Sequence, residues 1–140
     1  MCFDIGKKLG IGAHMAELRR TKAGPFDEST LFTLQELTDA YYFWKEENND
    51  KMIRKVIRPV ENGVKHLPKV WIFDTTVESL CHGIDLKVPG ISKVNDNISK
   101  DGIVAIMTLK NELVALGTAQ ISSEEMLGEK GVAVKTEKVF

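Results

Sequence analysis

Cys81 and His82 are the first residues in this chain to invite a chemical reading, a thiol beside a base able to take its proton. Their adjacency defeats it. The segment from Val77 to Gly83 reads as a short helix, where neighbouring side chains point about 100° apart, so the imidazole cannot accept the thiol's hydrogen bond. Cys81 reads instead as core, sharing a face with Val77 and Leu80. The three histidines, His14, His66 and His82, show no metal-ligand spacing with Cys2 or Cys81, and no metal site is expected. Binding chemistry is better supported. Cys81-His82-Gly83, Asp85-Leu86 and Val88-Pro89-Gly90-Ile91 converge at the end of the helix. Glycines there permit close backbone approach, and backbone groups can read the edges of unstacked bases. Lys65, Lys69, Lys87 and Lys93 lie nearby. By composition alone they are solvated surface; phosphate contacts are the alternative.

Such a patch needs a rigid support. Lys69 to Phe73 has the β-branched and aromatic content of a strand, which Asp74-Thr75-Thr76 stops. Thr75 and Glu78 have capping-box spacing, and Gly83 sits where a left-handed helix C-cap is wanted. Ile84, Leu86 and Val88 alternate, Pro89-Gly90 turns the chain, and Ile91 to Val94 continues it. Lys100-Asp101-Gly102 leads into a hairpin with arms Ile103–Leu109 and Leu113–Ala119, joined at Lys110-Asn111-Glu112. The nearly continuous apolar character of both arms predicts strands buried on both faces, as in a small closed barrel. Ser122 and Glu125 form a further capping-box pair. Val132 to Phe140 alternates imperfectly, which predicts an edge strand.

The preceding residues read as mostly helical. Met1 to Leu9 forms one helix, ended by Gly10-Ile11-Gly12, and Leu18-Arg19-Arg20 reads as a strand with a basic edge. Thr33 and Glu36 make a capping box, with Phe32 and Leu37 as its hydrophobic staple. Leu34, Leu37, Tyr41 and Trp44 share a helical face, with Trp44 expected in the core. Asp50 is placed to cap a helix over Lys51–Ile57, and Arg58-Pro59 ends it. Val60, Val64 and Leu67 predict one more short helix.

The chain has 140 residues, 43% of them hydrophobic, and a formal net charge of -1. That is enough for a real core, but there is no global basic field, so affinity for nucleic acid must be local. The cysteines frame no disulfide scaffold, which fits a reducing cytoplasm. The N-terminus lacks the basic and apolar regions of a signal peptide, and no stretch approaches the roughly 20 apolar residues of a membrane helix.

Three runs carry a resemblance: Trp71-Ile72-Phe73-Asp74-Thr75-Thr76-Val77-Glu78; Cys81-His82-Gly83-Ile84-Asp85-Leu86-Lys87-Val88-Pro89-Gly90-Ile91; and Val104 to Lys110 with Val114 to Gly117. Together they resemble a PUA domain, and more narrowly that of the archaeal and eukaryotic H/ACA-guided pseudouridine synthases, the dyskerin-type branch of the TruB family. Leu18-Arg19-Arg20-Thr21 followed by Gly24-Pro25-Phe26 resembles the last active-site motif of TruB-type catalytic domains. The resemblance implies an α+β chain: a small mixed β-barrel over residues 68–140, preceded by a mostly helical catalytic-domain remnant over 1–67. Leu18, Arg19 and Arg20 would be the remnant of the uridine pocket. The Cys81–Ile91 patch would receive the single-stranded ACA at the 3′ end of a guide RNA, with the nearest lysines holding the adjoining stem. Implied partners are an H/ACA guide RNA or tRNA and the small H/ACA ribonucleoprotein proteins, with no cofactor and no membrane.

The family's catalytic Gly-x-Leu-Asp motif and its separate tyrosine and arginine motifs have no matching positions in this sequence. Gly83-Ile84-Asp85-Leu86 looks loosely like the first, but its spacing is short by one residue and its flanks are those of a PUA domain. The chain is therefore expected to be inactive alone. A reading from a different class is also open: a protein-interaction module, homo-oligomeric through its amino-terminal remnant, with RNA incidental. A tritium-release assay on guide–target RNA should give no turnover above background; turnover abolished by Asp85→Ala would overturn the dismissal of that aspartate.

Overall fold

The two arms of the apolar hairpin form the middle of a six-stranded sheet in the computed structural model, which describes residues 1–140. Strand β6 (Ile103–Met107) and strand β7 (Leu113–Ala119) are buried on both faces, as their composition requires. Val104 and Ile106 enter the main core with Val70, Ile72, Leu80, Leu86 and Val134. Ala105 and Met107, on the opposite face, join Leu113 and Val64, with Leu67, Trp71 and Leu116 packed around them.

The other strands are β3 (Lys69–Ile72), β4 (Leu86–Lys87), β5 (Ile91–Val94) and β8 (Val132–Val139). Their spatial order is β4-β8-β7-β6-β3-β5, with β3 parallel to β6 and every other pairing antiparallel. The two edge strands, β4 and β5, are consecutive in the chain and joined only by the one-turn segment Val88–Gly90. The ends of the sheet must therefore approach each other, and the sheet is a nearly closed mixed barrel. Helix α4 (Asp74–Cys81) packs against β7 and β8, inserting Leu80 and Val77. The fold is α+β, as expected.

Local details depart from the sequence reading. The N-cap of α4 is Phe73, without a side-chain cap, so Thr75 lies inside the helix. The Phe73 N–H is held by the Gly90 carbonyl at 3.1 Å, which starts the helix before Thr75 could cap it. Cys81 is exposed rather than core: the face of α4 turned to the sheet runs through Val77 and Leu80, and Cys81 lies about 100° beyond Leu80. Strand β8 is internal, pairing with β7 on one side and briefly with β4 on the other. Its imperfect alternation comes from a bulge: Leu116 and Gly117 pair with Lys138 and Thr136, leaving Glu137 as the extra residue, its carboxylate accepting the Thr118 hydroxyl.

Residues 1–31 and 32–140 form two compact units. In the first, α1 (Cys2–Lys8) ends before Gly10, whose φ is +71°. Two-residue strands β1 (Lys22–Ala23) and β2 (Phe26–Asp27) pair across Gly24-Pro25. Leu18 is in no strand; residues 13–20 lack regular structure and Leu18 is 78% exposed. In the second unit, α2 (Leu34–Glu47) has the full reciprocal capping box of Thr33 and Glu36. The Thr33 N–H and hydroxyl hold the Glu36 carboxyl below its ordinary range. Trp44 is 46% exposed and Tyr41 50%, so the aromatic face of α2 is not core. The short helix α3 (Ile53–Val56) starts at Met52, while Asp50 holds the Arg54 side chain. A 3-10 turn over Val60–Val64 leads to the barrel. No helix is long and apolar enough to cross a membrane.

Gly117 marks where β7 and β8 run closest. A Cβ there would overlap the Lys135 carbonyl oxygen and approach Val134 Cγ1 to 2.6 Å. Gly117→Ala should lower unfolding free energy by about 1–3 kcal/mol in a urea titration; unchanged stability would contradict the β7–β8 register.

Candidate nucleic-acid interface

The Cys81–Ile91 segment lies along the seam where the sheet nearly closes, and the fold divides its residues sharply between surface and core. Cys81, His82 and Gly83 end α4 in the open. The Gly83 N–H meets the Leu80 carbonyl at 2.8 Å and the Ile84 N–H meets that of Ser79 at 3.2 Å, while Gly83 takes φ +78°. This is the left-handed C-cap the sequence called for, and nothing lies within 4 Å of a Cβ built there. His82 Nδ1 is 2.8 Å from the Glu78 carbonyl oxygen, one turn back along its own helix. Neither Cys81 nor His82 has a catalytic partner.

Asp85 has a structural task. Its carboxylate accepts the Thr136 N–H at 2.9 Å, and the Thr136 hydroxyl donates to the Ile84 carbonyl at 3.1 Å. Together these bonds tie the lead into β4 to β8 beside the β7–β8 bulge. Leu86 and Val88 turn into the core, 1% and 4% exposed. Only their backbone could face a ligand, and the Val88 N–H already donates to the Gly131 carbonyl at 3.0 Å. Pro89 is exposed, and Ile91 is half-buried against the main core.

The lysines separate as well. Lys87 is exposed on β4. Lys93 pairs with Trp71 across β3–β5, and its ammonium lies 4.9 Å from the centre of the Trp71 ring, a cation–π contact. The Trp71 indole N–H donates to Asn111 Oδ1 at 2.9 Å. Lys69 begins β3 at the end away from the seam, where its N–H donates to Asn95 Oδ1 at 2.7 Å, and Lys65 precedes it on the connecting turn. Of the four lysines singled out by position, only Lys87 adjoins the turn. The structure adds another: Lys87 and Pro89 share a groove of about 340 Å³ with Lys130, Gly131 and Val132. Lys130 is 43 residues from Lys87, and only the pairing of β4 with β8 brings it there. No sequence signal marked it. In the amino-terminal unit, the Arg19 guanidinium is 2.6 Å from the Glu28 carboxylate. Arg20 lines a cleft with Lys22, Phe26 and Leu31, and Leu18 stands out in solvent. No three His, Cys, Asp or Glu side chains gather where a metal ion could be held.

Residues 68–140, just over half of the chain, match the family model of the PUA domain. The chain belongs to the PUA domain family. Residues 1–65 match the C-terminal domain of tRNA pseudouridylate synthase B. A probable tRNA pseudouridine synthase B of Pyrococcus furiosus is 58% identical over 138 residues, which is 97% of this chain but 41% of that relative. Among solved structures, the archaeal box H/ACA sRNP Nop10–Cbf5 complex contains a chain 57% identical, with TM-score 0.85, covering 98% of this chain and 45% of that one. A chain in an H/ACA RNP bound to a substrate RNA containing 2′-deoxyuridine is also 57% identical, with TM-score 0.83, covering 99% and 44%. This PUA-domain chain thus spans about two fifths of the curated relatives it matches.

Within the PUA domain, Gly90 faces inward. A Cβ there would come within 2.8 Å of both Thr76 Cγ2 and Thr76 Oγ1, and 3.3 Å from Leu86 Cδ1. Its missing side chain serves seam packing rather than space for a base. Gly90→Val should therefore cost about 1–3 kcal/mol of stability in chemical denaturation. Pro89→Ala, on the exposed side of the same turn, should stay within about 0.5 kcal/mol. A Gly90→Val chain of unchanged stability would refute that packing role.

Proposed function

We propose that this chain is the RNA-binding portion of an H/ACA-guided or tRNA pseudouridine synthase, working in the cytoplasm without a cofactor. Residues 1–67 are the end of the catalytic domain and residues 68–140 the PUA domain. The seam from Cys81 to Ile91 docks the single-stranded ACA end of a guide RNA: Gly83, His82 and Pro89 offer the surface, Leu86, Val88 and Gly90 hold it from beneath, and Asp85 anchors it to β8. Lys87 supplies a phosphate contact beside the turn. Lys65, Lys69 and Lys93 lie further along the barrel, where an adjoining stem would run. Leu18, Arg19 and Arg20 belong to the uridine pocket, completed by residues of the longer protein. Its partners there are the guide and substrate RNAs and the small H/ACA proteins.

One observation carries this reading. The seam sets an exposed turn beside lysines without an ion-pair partner, in a chain 57% identical to one in an H/ACA RNP bound to a substrate RNA. A second reading, a partner-protein or dimer interface on the helical part, is favoured by the exposed aromatic face of α2, where Tyr41, Trp44, Ile53 and Ile57 line a groove of about 380 Å³.

Titrating labelled stems ending in ACA or UUU at two salt concentrations tests the first reading. ACA should bind more tightly. With about two to four phosphates engaged, the slope of log affinity against log salt should be on the order of −1.5 to −3.5. Equal affinities would leave a generic RNA-binding surface.

A further inference from the structure

We infer that Lys130 and Lys87 form a two-cation clamp on the sugar–phosphate backbone of the bound RNA, with Lys130 a specific phosphate contact. This rests on the RNA-binding reading above and adds a residue that no local sequence pattern singles out.

The groove is built by pairing. Lys87 lies opposite Val132, and Lys130 stands two residues before Val132, so the lysines approach the groove from neighbouring chain segments. The walls are fixed to each other by the Val88 N–H bond to the Gly131 carbonyl at 3.0 Å. Gly131 has φ +129°, and nothing lies within 4 Å of a Cβ built on it, so this part of the lining is bare backbone. Pro89 completes the exposed side. The lining residues thus include two lysines and no acidic residue.

Those charges are available. The chain's ion pairs are Met1–Asp4, Arg19–Glu28 and Arg54–Asp50, none involving a lysine. Lys93, the other lysine near the turn in sequence, is engaged over Trp71. In a chain of net charge -1, two free cations facing one groove concentrate positive potential where the global balance supplies none. A lysine ammonium binds phosphate as a point charge and demands no planar, bidentate geometry. A mobile single strand crossing an open groove suits it, whereas base reading is left to the turn.

Filter binding of the 140-residue chain to the ACA-ended and UUU-ended stems, across a salt series, tests the clamp. Lys130→Ala should weaken both RNAs about two- to fivefold and flatten the salt slope by about 0.7. Lys130→Arg should restore both values. Lys138→Ala removes the same formal charge six residues beyond Val132 on β8, about 20 Å along the strand from it, and should leave the slope unchanged. If Lys130→Ala behaves like Lys138→Ala, or if arginine fails to rescue a folded variant, the clamp is wrong. A polyglutamate peptide that competes with RNA at equal charge concentration would also overturn it, reassigning the groove to acidic protein. The two readings fail separately: equal binding of ACA and UUU ends refutes the specific turn, while a K130A effect on both RNAs still supports the clamp.

Discussion

Barrel closure at the Val88–Gly90 turn is the constraint on which the rest of the structure depends. A sheet with free ends exposes two rows of unpaired N–H and C=O groups. In this barrel the two end strands are successive in the chain, and one short turn carries the chain from β4 to β5. The turn is held from both sides: Val88 donates to Gly131, and Gly90 accepts from Phe73 at the start of α4. The Thr76 side chain and Leu86 leave no room for a Cβ at Gly90. Helix start, strand edge and turn are therefore one packed unit, and rigidity at the exposed Pro89 is a consequence of closure. A turn fixed in this way needs no ordering before it meets a ligand, which would spare binding an entropic cost.

The second constraint is the double-sided burial of β6 and β7. One face fills the barrel. The other is covered by Val64 and Leu67 on the connecting segment, with the Glu61 carboxylate accepting the Leu113 N–H at 3.2 Å. The Thr108–Glu112 turn satisfies its own donors, since the Thr108 hydroxyl accepts from the N–H groups of Lys110 and Glu112. Leu113, next in the chain, relies on Glu61. The connecting segment is thus part of the barrel's packing rather than a free linker.

The helical part has a different balance. Its caps are well formed, as the Thr33–Glu36 box shows, yet Leu34, Tyr41 and Trp44 remain substantially exposed. Local sequence is sufficient for a helix whose apolar face lacks a partner, because capping and propensity act within a few residues. Burial of that face needs another surface. The curated relatives are more than twice as long as this chain.

Sequence alone determined whatever depends on neighbours within a turn or on alternation along one strand. The barrel strands, the left-handed Gly83, the capping boxes at Thr33 and Ser122 and the double burial of the hairpin were all legible from composition and spacing. So was the family, because the runs from Trp71 to Gly117 carry both core and turn residues in order. Tertiary structure decided the rest. Whether Cys81 faced core or solvent depended on which side of α4 met the sheet. Whether β8 was an edge depended on β4 returning to pair with it, and on a bulge at Glu137 that mimicked broken alternation. Thr75 lost its cap because Gly90, distant in sequence, claimed the Phe73 N–H. Lys93 was drawn to Trp71 and Lys130 was brought to Lys87 by strand pairing. In each case the deciding contact joined residues well separated along the chain, and local patterns do not encode which distant partner a hydrogen bond or charge will meet.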